Sequence, residues 1–352
     1  MVQPQVARSL CTIEVNRLKM TDITLHLLRR LSLCAILVVI ALHIICLPVL
    51  AQSPGKPLVL PTKYDEHRFY AQPITMDGTK LNFFTDSGGG LFIYNDVAEH
   101  LRLLTVNISG EGQEAFYVAS LPAFKVEATI PAPLSREGRI PIWTPSADER
   151  KFFEEINDGM LGQEWFGGRV WTFDYPRRRL LLRAKGDIPR QKAQHRVVLG
   201  FKTDANGQRA LNFPRIQALI DGEVLDLLFD TGATTFLTDT ALASLRDRGA
   251  AERATSFITA STFEKWRKRH PNWRIIEQAE KTTGEAMIEV PSVTVAGYRV
   301  GPVWFTRRAD KNFHEFMSQF MDKRVEGALG GNALRYFRVT VDYPNAIAVF
   351  ER

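Results

Sequence analysis

Two short segments of the chain place an aspartate in the same local setting. Each reads Asp, hydroxyl residue, Gly, and each follows directly on an apolar stretch, with Asp86-Ser87-Gly88 after Leu81–Thr85 and Asp230-Thr231-Gly232 after Leu225–Phe229. An apolar strand places the carboxylate that follows it at the edge of a buried core. The hydroxyl can bridge two loops, and a glycine in third place lets another backbone approach closely.

Two such carboxylates in contact would form a general acid–base pair. They do not both ionise, because a negative charge at close range raises the pKa of its neighbour. The pair then shares one proton at mildly acidic pH. The ionised member takes a proton from water, and the protonated member donates to the substrate carbonyl oxygen. Asp86 and Asp230 are therefore predicted to hydrolyse amides without a metal, a cofactor or a covalent intermediate.

A lone Asp-Thr-Gly triplet is more often only a turn that ends a strand. Here the whole context recurs. A constant offset of 144 residues relates Asp77/Asp221, Gly78/Gly222, Leu81/Leu225, Asp86/Asp230 and Gly88/Gly232, and it continues from Phe92/Phe236 to Leu101/Leu245. Similarity at a fixed period predicts a repeated structural unit.

A second set of blocks recurs in the same order. Asp158–Gly162 resembles Glu326–Gly330, and Thr172–Pro176 resembles Thr340–Pro344, both at an offset of 168. The second copy is therefore 24 residues longer, and we expect the extra length near Ser261–Arg274, as a short helix or surface excursion.

The elements around these blocks indicate a mostly β fold with few short helices. Asp77-Gly78 and Asp221-Gly222 predict hairpin turns, and the stretches that close each copy predict hairpins around a Tyr-Pro turn. We expect two homologous β domains related by a pseudo-twofold axis. The expected boundaries are a leader at 1–51, a linker at 52–64, one domain at 65–185, a linker at 186–195 and a second domain at 196–352.

The N-terminus has the pattern of an export signal. Arg29 and Arg30 precede an apolar run over 31–47, and small residues, Val49 and Ala51, follow at the positions that signal peptidases favour. Cleavage after Ala51 would give a periplasmic or secreted protein. Because the run is 17 residues long, an uncleaved membrane anchor at 31–47 is the competing interpretation.

Composition excludes several other classes of site. All three cysteines lie before residue 52, which leaves the rest of the chain without a thiol nucleophile or a thiolate metal site. No histidines have the spacing of paired metal ligands, so neither a metal nor a cofactor is expected. Residues 1–51 hold five basic and two acidic side chains, and the remaining net charge near +3 is too mild to indicate nucleic-acid binding.

The two triplets, each followed later by an apolar-apolar-Gly block, resemble the pepsin and retropepsin superfamily of aspartic peptidases. These blocks are Met160-Leu161-Gly162 and Ala328-Leu329-Gly330, and the latter, ahead of Phe337–Pro344, is especially similar to bacterial retropepsin-like proteins. The resemblance implies catalytic roles for Asp86 and Asp230, supported by Ser87, Gly88, Thr231 and Gly232. It also implies that the two homologous domains are retropepsin-like β-barrels and that the substrate is a peptide or protein. Since a pseudo-twofold pair within one chain needs no partner, we expect a monomer whose domains pair within the chain.

Two other functions remain open at this point. The first triplet continues with Gly89 and Gly90 where the family usually has Ala, Ser or Thr, as at Ala233, and this favours an exported peptide-binding protein that has lost turnover. A structural β protein whose triplets are only turns is the third alternative. Replacement of either aspartate distinguishes the three.

Overall fold

The computed structural model describes residues 56–108, 116–152 and 156–352, and the expected leader at 1–51 lies outside them. Strands dominate the described residues and the helices are short, which confirms the predicted mostly β fold. The helices are α1 Asn95–His100, α2 Ala147–Phe152, α3 Gln163–Phe166, α4 Asp239–Leu245, α5 Ala260–Arg269 and α6 Gly331–Leu334.

The strands of the N-terminal half are, in chain order, β1 Leu58–Val59, β2 Thr62–Asp65, β3 Arg68–Ala71, β4 Phe83–Thr85, β5 Leu91–Tyr94, β6 Thr105–Ile108, β7 Phe116–Ser120, β8 Arg139–Trp143, β9 Gly159–Leu161, β10 Val170–Asp174 and β11 Arg179–Arg183. Strand β1 and most of β2 lie within 52–64, the stretch expected to be a linker. Residues 186–195 carry only a helical turn, Ala193–His195.

The strands of the C-terminal half are β12 Arg196–Val198, β13 Arg215–Ile220, β14 Glu223–Phe229, β15 Thr234–Phe236, β16 Glu252–Ala254, β17 Ser256–Thr259, β18 Ile275–Ile276, β19 Met287–Val290, β20 Val293–Val295, β21 Tyr298–Val300, β22 Val303–Arg308, β23 Gly327–Leu329, β24 Arg338–Asp342 and β25 Ile347–Glu351.

Each half builds its own sheet around the strand that leads into a triplet. The described strands of the first sheet follow the order β2-β3-β4-β9-β5-β8-β7-β6, and those of the second follow β18-β19-β22-β17-β23-β14-β13-β20-β21. Strand β4 runs parallel to β9, and β14 runs parallel to β23. The triplets thus leave equivalent places in the two sheets.

A third sheet joins the halves, with the strand order β1-β11-β10-β24-β25-β12. At its centre β10 and β24 pair antiparallel, with Thr172 opposite Thr340, and the two buried threonine hydroxyls are 2.7 Å apart. Residues on either side of this pair are matched at equal distances along the two strands, so an approximate twofold axis passes between Thr172 and Thr340. Phe173 of this sheet contacts Phe229, the residue before the second triplet, with a ring-centroid distance of 6.0 Å.

The two predicted Asp-Gly turns differ in form. Asp221 and Gly222 have φ values of 52° and 77° and close the hairpin of β13 and β14, as the sequence predicts. Such left-handed pairs are typical of two-residue hairpin loops. Gly78, with φ of 95°, also lies in a turn, but this turn is flanked only by an isolated bridge between Ile74 and Lys80.

The extra length of the second half enters earlier than the sequence suggests. A helix does form near Ser261–Arg274, namely α5. However, Phe92 of β5 lies opposite Met160, and its counterpart opposite Ala328 is Phe257 of β17, at an offset of 165 rather than 144. Strands β15 and β16 pair with each other, with α4 between them. The extra segment is therefore mainly Thr234–Ala254, which we call the C-half insertion.

Candidate active site

The first residue of each triplet is hydrogen-bonded to a neighbouring strand. The N–H of Asp86 donates to the carbonyl of Leu161, and the N–H of Asp230 donates to that of Leu329, each at 3.1 Å. These acceptors belong to the two apolar-apolar-Gly blocks. The glycines that end the blocks, Gly162 and Gly330, have no room for a side chain, because backbone carbonyl oxygens occupy the space where a Cβ would lie.

Within each triplet the glycine holds the aspartate. The N–H of Gly88 donates to Asp86 Oδ1 at 2.7 Å, and the N–H of Gly232 donates to Asp230 Oδ1 at 3.0 Å. The two carboxyl groups lie close enough for each to perturb the pKa of the other. We refer to this pair, Asp86 and Asp230, as the dyad.

The two triplets cross, so that each carboxyl group lies against the glycine of the opposite loop. A Cβ added to Gly88 would lie 2.8 Å from Asp230 Cγ, and one added to Gly232 would lie 2.7 Å from Asp86 Oδ1. Real Cβ atoms do not approach other atoms so closely. Glycine in third place is therefore required by the contact between the loops.

The hydroxyl residues in second place lock the loops together. The N–H of Ser87 donates to Thr231 Oγ1 at 3.1 Å, and the N–H of Thr231 donates to Ser87 Oγ at 3.0 Å. Ser87 Oγ also donates to the carbonyl of Phe229 at 2.7 Å. Ser87 and Thr231 are both buried, so these bonds meet the needs of polar groups that water does not reach.

The environment gives the two carboxyls different proton affinities. Burial raises the pKa of Asp86, and hydrogen bonds from Asp230 and the glycine amides oppose this rise. Burial and then the negative charge of Asp86 raise the pKa of Asp230 well above its usual range. Asp230 is 8% exposed, whereas Asp86 is half-buried. The two groups titrate as a pair, and the larger rise at Asp230 favours that residue as the carrier of the shared proton.

Gly89 does not leave the first loop loose. A Cβ at Gly89 would lie 2.6 Å from Asp86 Oδ2 and would also meet Met160 Sδ, whereas a Cβ at Gly90 would meet no atom within 4 Å. The second loop has Ala233 at the place of Gly89, and it is buried. Because Gly89 has no side chain, the carboxyl group of Asp86 can occupy the space beside it.

Three side chains near the second triplet were not predicted from the sequence. Arg68 is 1% exposed, and it donates to Glu252 and to Thr234, which lies two residues after Gly232. The only sequence signal is a charged residue at the start of β3, directly ahead of an apolar stretch, and that signal does not reveal its partners. They lie more than 160 residues away along the chain.

Two negative observations concern the described part of the chain. No group of three or more histidine, cysteine, aspartate or glutamate side chains is placed there to hold a metal ion. No helix in the same ranges has the length and the apolar character needed to cross a bilayer.

No protein-family model matches the chain, and no curated protein matches it in sequence. Among solved structures it is similar to an aspartic proteinase from Irpex lacteus, with a TM-score of 0.42 and 10% identity over 84% of this chain and 97% of that one. It is similar to conglutin gamma, a basic 7S globulin from lupine seeds, with a TM-score of 0.43 and 12% identity over 84% and 95%. A retropepsin-like aspartic protease from Rickettsia conorii aligns with 44% of this chain and 89% of its own, with a TM-score of 0.26 and 13% identity.

Proposed function

We propose that this protein is an aspartic-type endopeptidase whose catalytic groups are Asp86 and Asp230. The observation that carries the proposal is the close approach of the two carboxyl groups, one from each half. Each lies against the glycine of the opposite triplet, in loops that hydrogen-bond to each other. Burying two carboxyls side by side costs free energy unless they share a proton, and shared-proton pairs of this kind are typical of catalytic sites.

The geometry supports a specific division of labour. Asp86, the ionised and more exposed member, accepts a proton from a water molecule whose oxygen attacks the peptide carbonyl carbon. Asp230 donates its proton to the carbonyl oxygen, which gives a neutral tetrahedral diol. Asp86 then passes its new proton to the leaving nitrogen while Asp230 recovers one from a diol hydroxyl. The C–N bond breaks, and the dyad returns to its starting state.

The packing around Gly89 bears on the alternative that the protein binds peptides without hydrolysing them. That alternative was favoured by an apparently loosened first loop. Gly89 instead makes room for the carboxyl group of Asp86. This contact is what a working dyad needs, and it supports catalysis over binding alone.

The test is hydrolysis of a peptide library at several pH values, by the wild type and by Asp86→Asn and Asp230→Asn. Each variant should lose several orders of magnitude in kcat, because residues that act as a unit do not divide their effects. Thr231→Ala should lose less, since its hydroxyl only orients the loops. Wild-type rates in Asp86→Asn would disprove the proposed role of the first triplet, and a wild type that hydrolyses no peptide would disprove the function.

A further inference from the structure

A buried positive charge from the first half lies beside the second catalytic loop. Arg68, in β3, is 1% exposed. Its Nη1 donates to the Glu252 carboxylate, and its Nη2 donates to the Glu252 carbonyl oxygen at 3.3 Å. Glu252 lies in β16, within the C-half insertion. A buried guanidinium without a counter-charge is strongly destabilising. The insertion supplies that counter-charge, which is the carboxylate of Glu252.

The ion pair connects to the dyad through one hydroxyl group. Arg68 Nη1 also donates to Thr234 Oγ1 at 3.4 Å, and Thr234 Oγ1 donates to the carbonyl of Gly232 at 2.8 Å. A hydroxyl can accept and donate at the same time, so both bonds form together. The N–H of Gly232 in turn holds Asp230 Oδ1. A continuous chain of hydrogen bonds therefore leads from Glu252 to the Asp230 carboxyl.

The first loop is supported differently. The N–H of Gln163 donates to the carbonyl of Gly89 at 3.0 Å, and Gln163 Oε1 accepts from the N–H of Asn212 at 2.7 Å. These contacts are neutral. Thr234 begins the C-half insertion, which the first half lacks, so the first loop has no counterpart of its hydroxyl. Among the described residues, the charged support lies on the side of Asp230, the proposed proton donor.

We infer that Arg68, Glu252 and Thr234 are positioning residues that hold the Asp230 loop in its catalytic geometry. The C-half insertion acts on the reaction by delivering Glu252 to Arg68. This inference rests on the proposed peptidase function. The three residues do not touch the reacting atoms, and they act through the peptide group of Gly232.

The kinetic test compares Glu252→Gln and Thr234→Val with Thr234→Ser. Glu252→Gln and Thr234→Val should lower kcat by about tenfold to a hundredfold, the range expected when a catalytic group is displaced by less than about 1 Å. KM should stay within about twofold of wild type, because the loop contacts the reacting centre. Thr234→Ser keeps the hydroxyl and should retain wild-type kcat.

A matched control comes from the same insertion. Asp247 pairs with Arg253 at 2.7 Å on the surface, so Asp247→Asn also removes a carboxylate from an arginine without touching the loop. Its kcat should equal that of the wild type. The inference is overturned if Glu252→Gln and Thr234→Val keep wild-type kcat, or if Asp247→Asn loses as much as they do.

Hydrogen exchange tests the inference without any activity. In Glu252→Gln, amide exchange should become faster over residues 230–234 while residues 86–90 stay as in the wild type. If the wild type proves inactive, the proposed function fails and this measurement alone decides the inference. Unchanged exchange, or an equal increase in both loops, overturns it. Should Glu252→Gln fail to fold, Thr234→Val, which nearly keeps the side-chain shape, replaces it in both measurements.

Discussion

The roles proposed for the two aspartates differ although their backbones are held alike. Each accepts a hydrogen bond from the glycine two residues later, yet only Asp230 is almost fully withdrawn from water. A carboxyl that is buried beside another negative charge keeps its proton to higher pH. The assignment of Asp230 as acid and Asp86 as base follows from this difference in exposure.

The raised pKa of Asp230 also predicts how stability depends on pH. A carboxyl with a raised pKa in the folded state favours folding only while it is protonated, and this contribution is lost as pH rises toward its folded pKa. Asp230→Asn should therefore melt at a higher temperature than the wild type at pH 7. The difference should shrink below about pH 4, where the unfolded wild type is protonated as well.

Asp247→Asn is a control for which the change in melting temperature at pH 7 should have the opposite sign. A hydrogen bond from Arg253 lowers the pKa of Asp247, so its carboxylate stabilises the fold at neutral pH and stops doing so as pH falls. The Asn variant should melt slightly below the wild type at pH 7. Melting curves from pH 3 to pH 8 decide both cases, and a pH-independent gap for Asp230→Asn would contradict the assignment.

The two neighbouring glycines of the first loop, Gly89 and Gly90, should differ in how far their replacement lowers kcat. Gly89→Ala places a methyl group against the carboxyl group of Asp86 and should lower kcat by about a hundredfold, because the base is displaced. Gly90→Ala points into open space and should leave kcat within about twofold of wild type. Steady-state kinetics on one peptide compares them, and equal losses in both variants would refute the role given to Gly89.

Among the elements, the pair β10 and β24 carries the junction between the halves. Both strands are buried, and the hydroxyls of Thr172 and Thr340 satisfy each other. Single replacement leaves one buried hydroxyl without its partner, whereas double replacement removes both polar groups.

Thr172→Val alone should therefore lower the free energy of unfolding by about 1 to 3 kcal/mol. The double variant Thr172→Val/Thr340→Val should be closer to the wild type than the sum of the two single changes. Urea denaturation of the four proteins gives the coupling energy. Additive losses would show that the two hydroxyls do not depend on each other.

The sequence predicts the elements of the site better than their partners. Asp86, Asp230 and the residues after them are predictable because each lies in a local pattern that occurs twice. The closing hairpins are predictable for the same reason, and β10, β11, β24 and β25 match the expected stretches. The position of the insertion was wrong because Phe92–Leu101 and Phe236–Leu245 both encode a strand followed by a short helix.

Local patterns cannot decide which strand pairs with a distant one. Strand β15 resembles β5 in sequence, but β17 occupies the place beside β23. Likewise, Arg68, Thr234 and Glu252 meet only after the halves have packed. No repeat marks them, since Thr234 and Glu252 lie in the insertion that the first half lacks.

At the scale of the whole molecule, both triplets come from one chain and face each other across the approximate twofold axis. Dimerisation is then not needed to complete the dyad. Specific activity should stay constant on dilution, and equal mixtures of Asp86→Asn and Asp230→Asn should remain as inactive as each variant alone. Recovery of activity on mixing would show instead that loops from two chains pair.

The place of Thr234 in an insertion that the first half lacks has a consequence for how such a site can change over generations. In an assembly of two identical chains, every mutation alters both loops at once, so the acid and the base cannot be adjusted separately. A chain that carries both loops frees each to vary alone. One loop can gain a hydroxyl and a charged support while the other keeps two successive glycines. The sequence of each loop, rather than chance at each turnover, then decides which aspartate donates the proton and which accepts it.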